Sequence, residues 1–305
     1  MSSYIFNKTL IIGVGLIGSS IARSIKNKKL SKKIIGYDNN KNVVQKCRSL
    51  KIVDLMVNKL EDIKDVDLVI LCCPLGSYGK ILSKIVPLIK AKCVITDVGS
   101  TKIHAIQEFN KFKNNNLIEF VPGHPIAGLE KSGPEHGFAD LFNNRYCILT
   151  PKIDKTPGVK RISKMWKNLG MTVQIMSGER HDRVLAMTSH IPQLIAYSIV
   201  ATANDLEKNM REEIIRYSAA GFRDFTRLAG SDPIMWRDIY LLNKNSVLDM
   251  LGRFTEDLSS LQKAIRNSDK KKLEKTFRST RQIRKLIETK GQAGTFDPRE
   301  KKKIK

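Results

Sequence analysis

Cysteine is scarce in this 305-residue sequence, and its spacing excludes two classes of protein. The five cysteines form no CxxC pair and are Cys47, Cys72, Cys73, Cys93 and Cys147. An odd number without paired spacing argues against a disulfide framework and against a thiolate metal site, so we expect no bound metal. The sequence therefore predicts a reduced, cytoplasmic protein.

Long apolar stretches are also missing. No uninterrupted apolar run reaches the roughly 18 residues that cross a bilayer. The N-terminal residues lack the pattern of a secretory signal, and we expect no membrane partner. Hydrophobic residues make up 41% of the chain and charged residues 28%, which is ordinary for a globular protein with room for two domains.

Acidic residues are few: 30 Asp and Glu stand against 54 Lys and Arg, which gives a net charge of +24. Residues 270–305 hold 14 basic and 4 acidic side chains, and we expect residues 291–305 to form a flexible basic tail. A positive field attracts anionic small molecules as well as nucleic acid. Because no basic patch is interleaved with aromatic residues, nucleic acid is not an expected partner.

Strands and helices alternate through the first part of the chain. Apolar or β-branched runs predict strands at residues 9–12, 33–37, 66–73, 94–96, 120–121, 146–149 and 172–176. The order predicts an α/β class, with a doubly wound parallel sheet of the Rossmann type over residues 1–177. Only helical periodicity follows, so we expect an all-helical C-terminal domain over residues 178–290.

A GxGxxG motif stands between the first predicted strand and helix, as Gly13-Val14-Gly15-Leu16-Ile17-Gly18. Gly13 permits the tight turn, Gly15 lets the backbone approach a pyrophosphate, and Gly18 allows the helix to pack closely on the strand. The helix N-terminus, at Leu16 and Ile17, then offers free N–H groups to the phosphates. We expect this segment to bind a dinucleotide.

Three further residues follow the ends of predicted strands, where open α/β sheets bind ligands. Asp38, 20 residues beyond Gly18, either binds the ribose hydroxyls, which favours NAD over NADP, or caps the next helix. We expect Pro74, after the strand over residues 66–73, to contact the dinucleotide. Ser100 either caps a helix or touches both the nicotinamide ribose and the substrate, and the two roles are compatible.

His124 is the strongest candidate for a catalytic residue. It lies after a predicted strand and between Gly123 and Pro125, which restrict the backbone. A neutral imidazole there can accept a hydrogen bond from a substrate hydroxyl while a hydride leaves the same carbon. The alternative is a structural histidine buried near a turn.

Three residues of the helical part are candidates for substrate binding. His190, two residues before Pro192, either lines a cleft between the domains or caps a kink in its helix. Arg223 and Arg227 lie one helical turn apart. Arg227 either clamps a substrate carboxylate through its guanidinium or pairs with acidic residues at the surface.

Five segments, in this order, closely resemble the prephenate and arogenate dehydrogenases of tyrosine biosynthesis. They are GVGLIGSS, DVGSTK, GHPIAGLEKSG, SHIPQ and GFRDFTRLAGSDPIMWRDI. The similarity extends from about Thr9 to Lys290, and GHPIAG and the last segment are far more specific than the glycine motif. The resemblance implies oxidative decarboxylation of prephenate by NAD, which gives 4-hydroxyphenylpyruvate, carbon dioxide and NADH.

The resemblance also implies roles for individual residues. His124 would accept a hydrogen bond from the ring hydroxyl, and Ser100 would orient that hydroxyl and the nicotinamide. Arg227 would bind a substrate carboxylate, and His190 would contact the substrate side chain.

Further features follow from the same resemblance. An ion pair between Arg223 and Glu130 would guard the cleft, and the helical domain would form a homodimer. Nothing before Thr9 is long enough for a mutase domain and nothing after Lys290 for a regulatory domain, so we expect any inhibition by tyrosine to act at the active site.

Three alternatives remain open. One is an arogenate or dual-substrate cyclohexadienyl dehydrogenase, whose substrate carries an ammonium in place of the keto group. Another is a β-hydroxyacid dehydrogenase on the same two-domain plan. The third is an NAD-binding regulator associated with nucleic acid, which would bind phosphates in a salt-dependent way.

Overall fold

The computed structural model describes residues 4–63, 65–129 and 131–289. Two expectations from the sequence lie outside these residues. They are the ion pair that involves Glu130 and the basic tail at residues 291–305.

Six parallel strands form the main sheet, in the order β3-β2-β1-β4-β5-β6. They are β1 Phe6–Ile12, β2 Ser31–Tyr37, β3 Leu55–Val57, β4 Leu68–Leu71, β5 Cys93–Asp97 and β6 Ile118–Val121. Every residue of β4 and β5 is buried, because apolar clusters cover both faces of the sheet. The strand order reverses at β1, so the carboxyl ends of β1 and β4 flank the crevice where such sheets bind ligands. The predicted doubly wound α/β fold is confirmed.

The last strands of this region differ from the prediction. β7 (Gly123–Pro125), β8 (Tyr146–Leu149) and β9 (Thr172–Ile175) form a separate three-stranded sheet rather than an extension of the parallel one. β8 is antiparallel to β7 and parallel to β9. Pro122, between β6 and β7, has no N–H to continue the ladder of β6, so the chain leaves the main sheet there.

Helices cover the sheet, and the regular secondary structure described after β9 is all helical, as predicted. The helices are α1 Leu16–Asn27, α2 Lys41–Ser49, α3 Tyr78–Ile85, α4 Lys102–Asn110, α5 Pro157–Asn168, α6 Gly178–Leu185, α7 Ile191–Asn204, α8 Lys208–Arg216, α9 Ala220–Thr226, α10 Pro233–Leu242, α11 Lys244–Arg266 and α12 Lys270–Thr289. Helical periodicity in the sequence continues from residue 232 to residue 263 and predicts one helix there. The structure has two helices instead, because the backbone of Asn243 leaves the helical region (φ −113°, ψ 31°).

The chain divides into two compact units after Lys244. The first unit contains both sheets and also the helices α6 to α10, with α6 packed against α4. The described part of the second unit consists of α11, apart from its first residue, and α12. Every residue predicted to bind cofactor or substrate therefore lies in the first unit.

The stretch between α6 and α7 is a π-helical turn, Ala186–His190. Pro192 follows in the first turn of α7, and its missing N–H removes one helical hydrogen bond at this place. Single π turns occur frequently at functional sites. This one places His190 at its end.

The continuous helical stretch Gly178–Asn204 is long and apolar enough to cross a membrane by length and composition, with a mean hydropathy of 1.4 in its best window. It is not an uninterrupted apolar run, since it contains Thr188, Ser189, His190 and Gln193. One such helix is weak support for a membrane span, because a core helix of a soluble protein passes the same test.

Two glycines of the turn after β1 are required by close packing. Gly13 has φ +90°, and a Cβ there would lie 2.7 Å from the carbonyl carbon of Cys72. A Cβ on Gly18 would overlap the carbonyl oxygen of Gly13. Around the Cβ position of Gly15, by contrast, there is open space.

We expect Gly18→Ala to lower the free energy of unfolding by about 3 kcal/mol, because neither backbone can yield without separating α1 from β1. Gly15→Ala is the matched control and should cost no more than about 1 kcal/mol, the difference between Gly and Ala at a helix N-cap. Urea unfolding of the two variants measures both values. Equal stability would show that the packing at Gly18 can relax.

Candidate active site

A buried ion pair lies at the carboxyl end of β5. Oδ2 of Asp97 is 2.5 Å from Nζ of Lys102, and both side chains are fully buried. The same oxygen accepts hydrogen bonds from the hydroxyl of Tyr78 at 3.1 Å and from the N–H of Gly99 at 2.9 Å. Burial of the carboxylate is tolerated because its charge is matched by the ammonium and its lone pairs are occupied.

This ion pair anchors the segment that carries His124. Oδ1 of Asp97 accepts the N–H of Gly123 at 3.0 Å, and Nζ of Lys102 donates to the carbonyl oxygen of Gly123 at 2.6 Å. Both backbone polar groups of Gly123 are thus bound to one ion pair. On β7, His124 is paired with Ile148 of β8. The backbone of His124 is therefore fixed by the ion pair and by the small sheet.

Asp182, in α6, binds the first turn of α4. Its Oδ1 accepts the N–H of Lys102 at 2.7 Å, and its Oδ2 accepts the N–H of Ile103 at 3.0 Å. These are N–H groups that a helix start leaves without a helical partner, and the N-cap residue Thr101 makes no side-chain capping bond. The alternative that Ser100 caps this helix is therefore wrong. Ser100 lies half-buried at the carboxyl end of β5.

His124 is the outer member of a row of three side chains. Its Nδ1 lies 2.9 Å from Nε2 of His181, and Nδ1 of His181 lies 2.7 Å from Oδ1 of Asp182. His181 and Asp182 are fully buried, whereas His124 is only partly buried. Nδ1 of His124 is therefore in contact with His181, while part of the residue stays accessible.

Both histidines of this row favour the neutral form. Burial lowers the pKa of His124 well below its usual value, and the nearby His181 and Lys102 lower it further. Burial also lowers the pKa of His181, against the opposing effect of its hydrogen bond to Asp182. A neutral His124 keeps one ring nitrogen free to accept a hydrogen bond.

His190 forms a second histidine site. Its Nδ1 lies 3.2 Å from Nδ2 of Asn243, and that amide nitrogen also donates to the carbonyl oxygen of Asp182 at 2.8 Å. Because a carbonyl only accepts, the amide nitrogen is the atom that faces both groups, and Nδ1 of His190 accepts from it. Burial lowers the pKa of His190 to about 4, so the neutral ring carries its proton on Nε2. Within the described residues this Nε2 is buried without a hydrogen-bond partner.

The glycine turn has the shape that a dinucleotide requires. Gly15 is the N-cap of α1, makes no side-chain capping bond and has open space around its Cβ position. The N–H groups at Leu16 and Ile17 therefore belong to an open helix N-terminus, which favours a phosphate. These residues fit a bound dinucleotide.

Asp38 lies beside this turn, partly exposed at the carboxyl end of β2. Its Oδ2 accepts the N–H of Val14 and its Oδ1 the N–H of Asn40, each at 2.9 Å. The N-cap of α2 is Asn40, whose side chain accepts the N–H of Asn42. The alternative that Asp38 caps the helix is therefore wrong, and its carboxylate faces the glycine turn instead.

The remaining predicted residues lie at the surface of the same unit. Pro74 is exposed after β4. Arg223 is exposed in α9, and Arg227, also exposed, begins the 3₁₀ turn Arg227–Gly230. That turn is tied to α7, because Nε2 of Gln193 donates to the carbonyl oxygen of Leu228 at 2.7 Å. Arg227 is thereby anchored beside the helix that follows His190.

Five residues of the site received no role from the sequence: Asp97, Lys102, His181, Asp182 and Asn243. A signal for the first two was visible, since DVGSTK places an acid at a strand end and a lysine five residues later. The partners of His181 and Asp182 lie 57 and 80 residues away, so no local pattern reveals them. Among the residues that the structure describes, no group of three or more His, Cys, Asp or Glu could hold a metal ion.

Comparison with known proteins agrees with this architecture. Residues 21–175 match the prephenate dehydrogenase nucleotide-binding domain, and residues 177–279 match the prephenate dehydrogenase dimerization domain. The chain belongs to the prephenate dehydrogenase family. Similar curated proteins include the cyclohexadienyl dehydrogenase of Zymomonas mobilis, 38% identical over 93% of this chain and 97% of that protein. The prephenate dehydrogenase of Bacillus subtilis is 33% identical over 90% of this chain and 74% of that protein.

Solved structures of the family have the same fold. Prephenate dehydrogenase from Aquifex aeolicus, in complex with hydroxyphenyl propionate and NAD+, superposes with a TM-score of 0.85 and 33% identity over 92% of this chain and 98% of that one. Arogenate dehydrogenase from Synechocystis superposes with a TM-score of 0.78 over 92% of this chain and 99% of that one. Its identity is 23%, so this second comparison concerns the fold alone.

We expect Lys102→Met to lower the free energy of unfolding by about 3–5 kcal/mol, because it leaves the Asp97 carboxylate buried without a counter-charge. Lys111→Met is the matched control, since Lys111 pairs with Glu108 at the surface, and it should cost less than about 1 kcal/mol. Denaturant unfolding followed by circular dichroism measures the difference. Similar losses for both variants would contradict the anchoring role of the buried pair.

Proposed function

We propose that this chain oxidises and decarboxylates prephenate. The observation that carries the proposal is a partly accessible, neutral His124, whose Nδ1 lies against Nε2 of the buried His181. This histidine stands in a chain that belongs to the prephenate dehydrogenase family. In the overall reaction a hydride leaves the ring carbon that bears the hydroxyl, and the bond to the ring carboxylate breaks. The electron pair of that bond enters the ring, which becomes aromatic, and the hydroxyl keeps its proton. The products are 4-hydroxyphenylpyruvate, carbon dioxide and NADH.

His124 is the proposed catalytic residue. As the hydride leaves, positive charge develops at the carbon that bears the hydroxyl, and a hydrogen bond from this hydroxyl to a neutral imidazole disperses the charge. Ser100, at the carboxyl end of the neighbouring strand β5, is proposed to orient the same hydroxyl. The Asp97–Lys102 pair binds the backbone of the residue before each of them, Gly99 before Ser100 and Gly123 before His124.

His190, Arg227 and Arg223 are the proposed substrate-binding residues. His190 offers a buried N–H without a protein partner, which suits a keto or carboxylate oxygen, since both only accept. Arg227 is proposed to clamp a carboxylate through its guanidinium fork. Arg223, one turn earlier in α9, is proposed to guard the entrance.

NAD is the proposed cofactor, held by Gly13, Gly15, Leu16, Ile17, Gly18, Asp38, Pro74 and Ser100. When bound, it supplies the acceptor for the hydride. The open N-terminus of α1 favours the pyrophosphate, and the carboxylate of Asp38 disfavours the additional phosphate of NADP.

Arogenate is the second candidate substrate. The observation that favours it is the 38% identity to a cyclohexadienyl dehydrogenase over most of both chains. We further propose a division into residues 1–177, which bind the cofactor, and residues 178–290, which complete the substrate site and pair two chains as a homodimer in the cytoplasm. The match of residues 177–279 to a dimerization domain supports the homodimer.

We expect the purified chain to form NADH from NAD and prephenate, and His124→Asn to lower kcat by about 10²–10⁴-fold with little change in NAD affinity. Absorbance of NADH measures turnover, and calorimetry measures NAD binding. Arogenate in a parallel reaction decides between the two substrates. NAD binding without turnover of either substrate would favour a non-enzymatic, NAD-binding regulator instead.

We expect Arg227→Ala to raise KM for prephenate by about 10–100-fold and to change kcat less. A guanidinium that binds the substrate carboxylate stabilises the bound substrate and the transition state alike, so its loss weakens binding more than it slows the reaction. Arg211→Ala is the control, since this partly buried arginine bonds to the carbonyl oxygen of Asn204 on a neighbouring helix and has no proposed role in the site. Initial rates over a range of prephenate concentrations separate the two constants. An unchanged KM would indicate a structural arginine.

A further inference from the structure

The row behind His124 ends on a carboxylate whose two oxygens are both occupied. Oδ1 of Asp182 accepts the N–H of Lys102 at 2.7 Å, and Oδ2 accepts the N–H of Ile103 at 3.0 Å. Backbone N–H groups only donate, so both oxygens of Asp182 serve as acceptors. Nδ1 of His181, 2.7 Å from Oδ1, must therefore carry the proton of that hydrogen bond.

The position of this proton determines the next one. A neutral imidazole has one N–H and one lone pair, so His181 with its proton on Nδ1 has a lone pair on Nε2. Nε2 of His181 lies 2.9 Å from Nδ1 of His124, which must then donate. His124, also neutral, is left with its lone pair on Nε2.

We propose that His181 and Asp182 are positioning residues that hold His124 in the tautomer with its proton on Nδ1, so that Nε2 is the hydrogen-bond acceptor of the site. The orientation matters because the opposite tautomer would present an N–H where the substrate hydroxyl also presents a proton. The proposal deepens the proposed function, and its consequence for turnover rests on that function. The tautomer itself belongs to the free protein and does not depend on any reaction.

The competing explanation is purely structural: Asp182 caps α4, and His181 fills the space beside it. No neighbouring group takes over the selection of the His124 tautomer from His181. Lys102 is engaged by Asp97 and Gly123, and Nδ1 of His190 faces Asn243. His181→Phe separates the two explanations. It keeps a ring of similar size and leaves the cap of Asp182 on α4 intact, but it removes the acceptor for Nδ1–H of His124.

The first test reads the tautomer directly in the free protein labelled with ¹⁵N-histidine. Two-bond ¹H–¹⁵N correlation spectra distinguish a protonated ring nitrogen from one with a lone pair, and the signals of His124 are assigned by their loss in His124→Asn. We expect a protonated Nδ1 and an unprotonated Nε2 in the wild type. In His181→Phe we expect a mixture of His124 tautomers. His136→Phe is the control, since His136 is exposed, and it should leave the tautomer of His124 unchanged.

The second test measures kcat and KM with prephenate and NAD. We expect His181→Phe to lower kcat by about 10²-fold with little change in KM for NAD. The reason is that the variant weakens the hydrogen bond between the substrate hydroxyl and His124 in the transition state. His181→Gln should recover part of kcat, since its amide offers both a donor and an acceptor. A structural role alone would not give this pattern of tautomer change, kcat loss and rescue.

Several results would overturn the proposal. A wild-type His124 with its proton on Nε2 contradicts it whether or not any variant folds. An unchanged His124 tautomer in a folded His181→Phe variant contradicts it as well. If the wild type shows the expected tautomer but turns over neither prephenate nor arogenate, the proposed function fails while the tautomer selection stands.

Discussion

The Asp97–Lys102 ion pair is the interaction on which the site depends. Removing two charges from water is costly, and the cost is recovered only when the pair is close and its remaining hydrogen-bonding groups are filled. Here the carboxylate of Asp97 stands at the end of β5 and the ammonium of Lys102 in the first turn of α4. The N–H of Gly123 donates to the carboxylate, and the carbonyl oxygen of Gly123 accepts from the ammonium. The position of His124 therefore follows from a charge balance inside the core, rather than from the stiffness of a Gly-Pro turn alone.

Asp182 links this core to the helical part of the chain. Its carboxylate binds the first N–H groups of α4, where the helix dipole favours negative charge, and also His181. One side chain thus ties α6 to α4 and also ends the row that leads to His124. Because the same contacts stabilise the fold and orient the ring, the proposed acceptor can be rigid before any substrate arrives.

The sequence predicts the fold and the outer residues of the site better than its buried partners. Apolar runs and the glycine motif give the parallel sheet and the turn at Gly13, because these signals are local. The separate sheet of β7, β8 and β9 is not predicted, since pairing between distant strands leaves no local pattern. His181 looks like any polar residue near a helix start, and Asn243 like an ordinary position within one long helix. Only tertiary packing shows that both side chains are buried and orient other histidines.

The two histidine sites differ in a way that suits the proposed substrate. Asn243 donates to His190, which leaves an N–H on the far side of that ring, whereas the row behind His124 leaves a lone pair on the far side of the other. The ring of His190 thus suits an oxygen that accepts a hydrogen bond, and the ring of His124 suits a hydroxyl that donates one. Neither ring is charged, and Lys102 is neutralised by Asp97. In the proposed function the two carboxylates of prephenate are therefore recognised by other groups, and Arg227 is the one proposed. The buried network would then separate the chemistry, at the neutral histidines, from the recognition of charge.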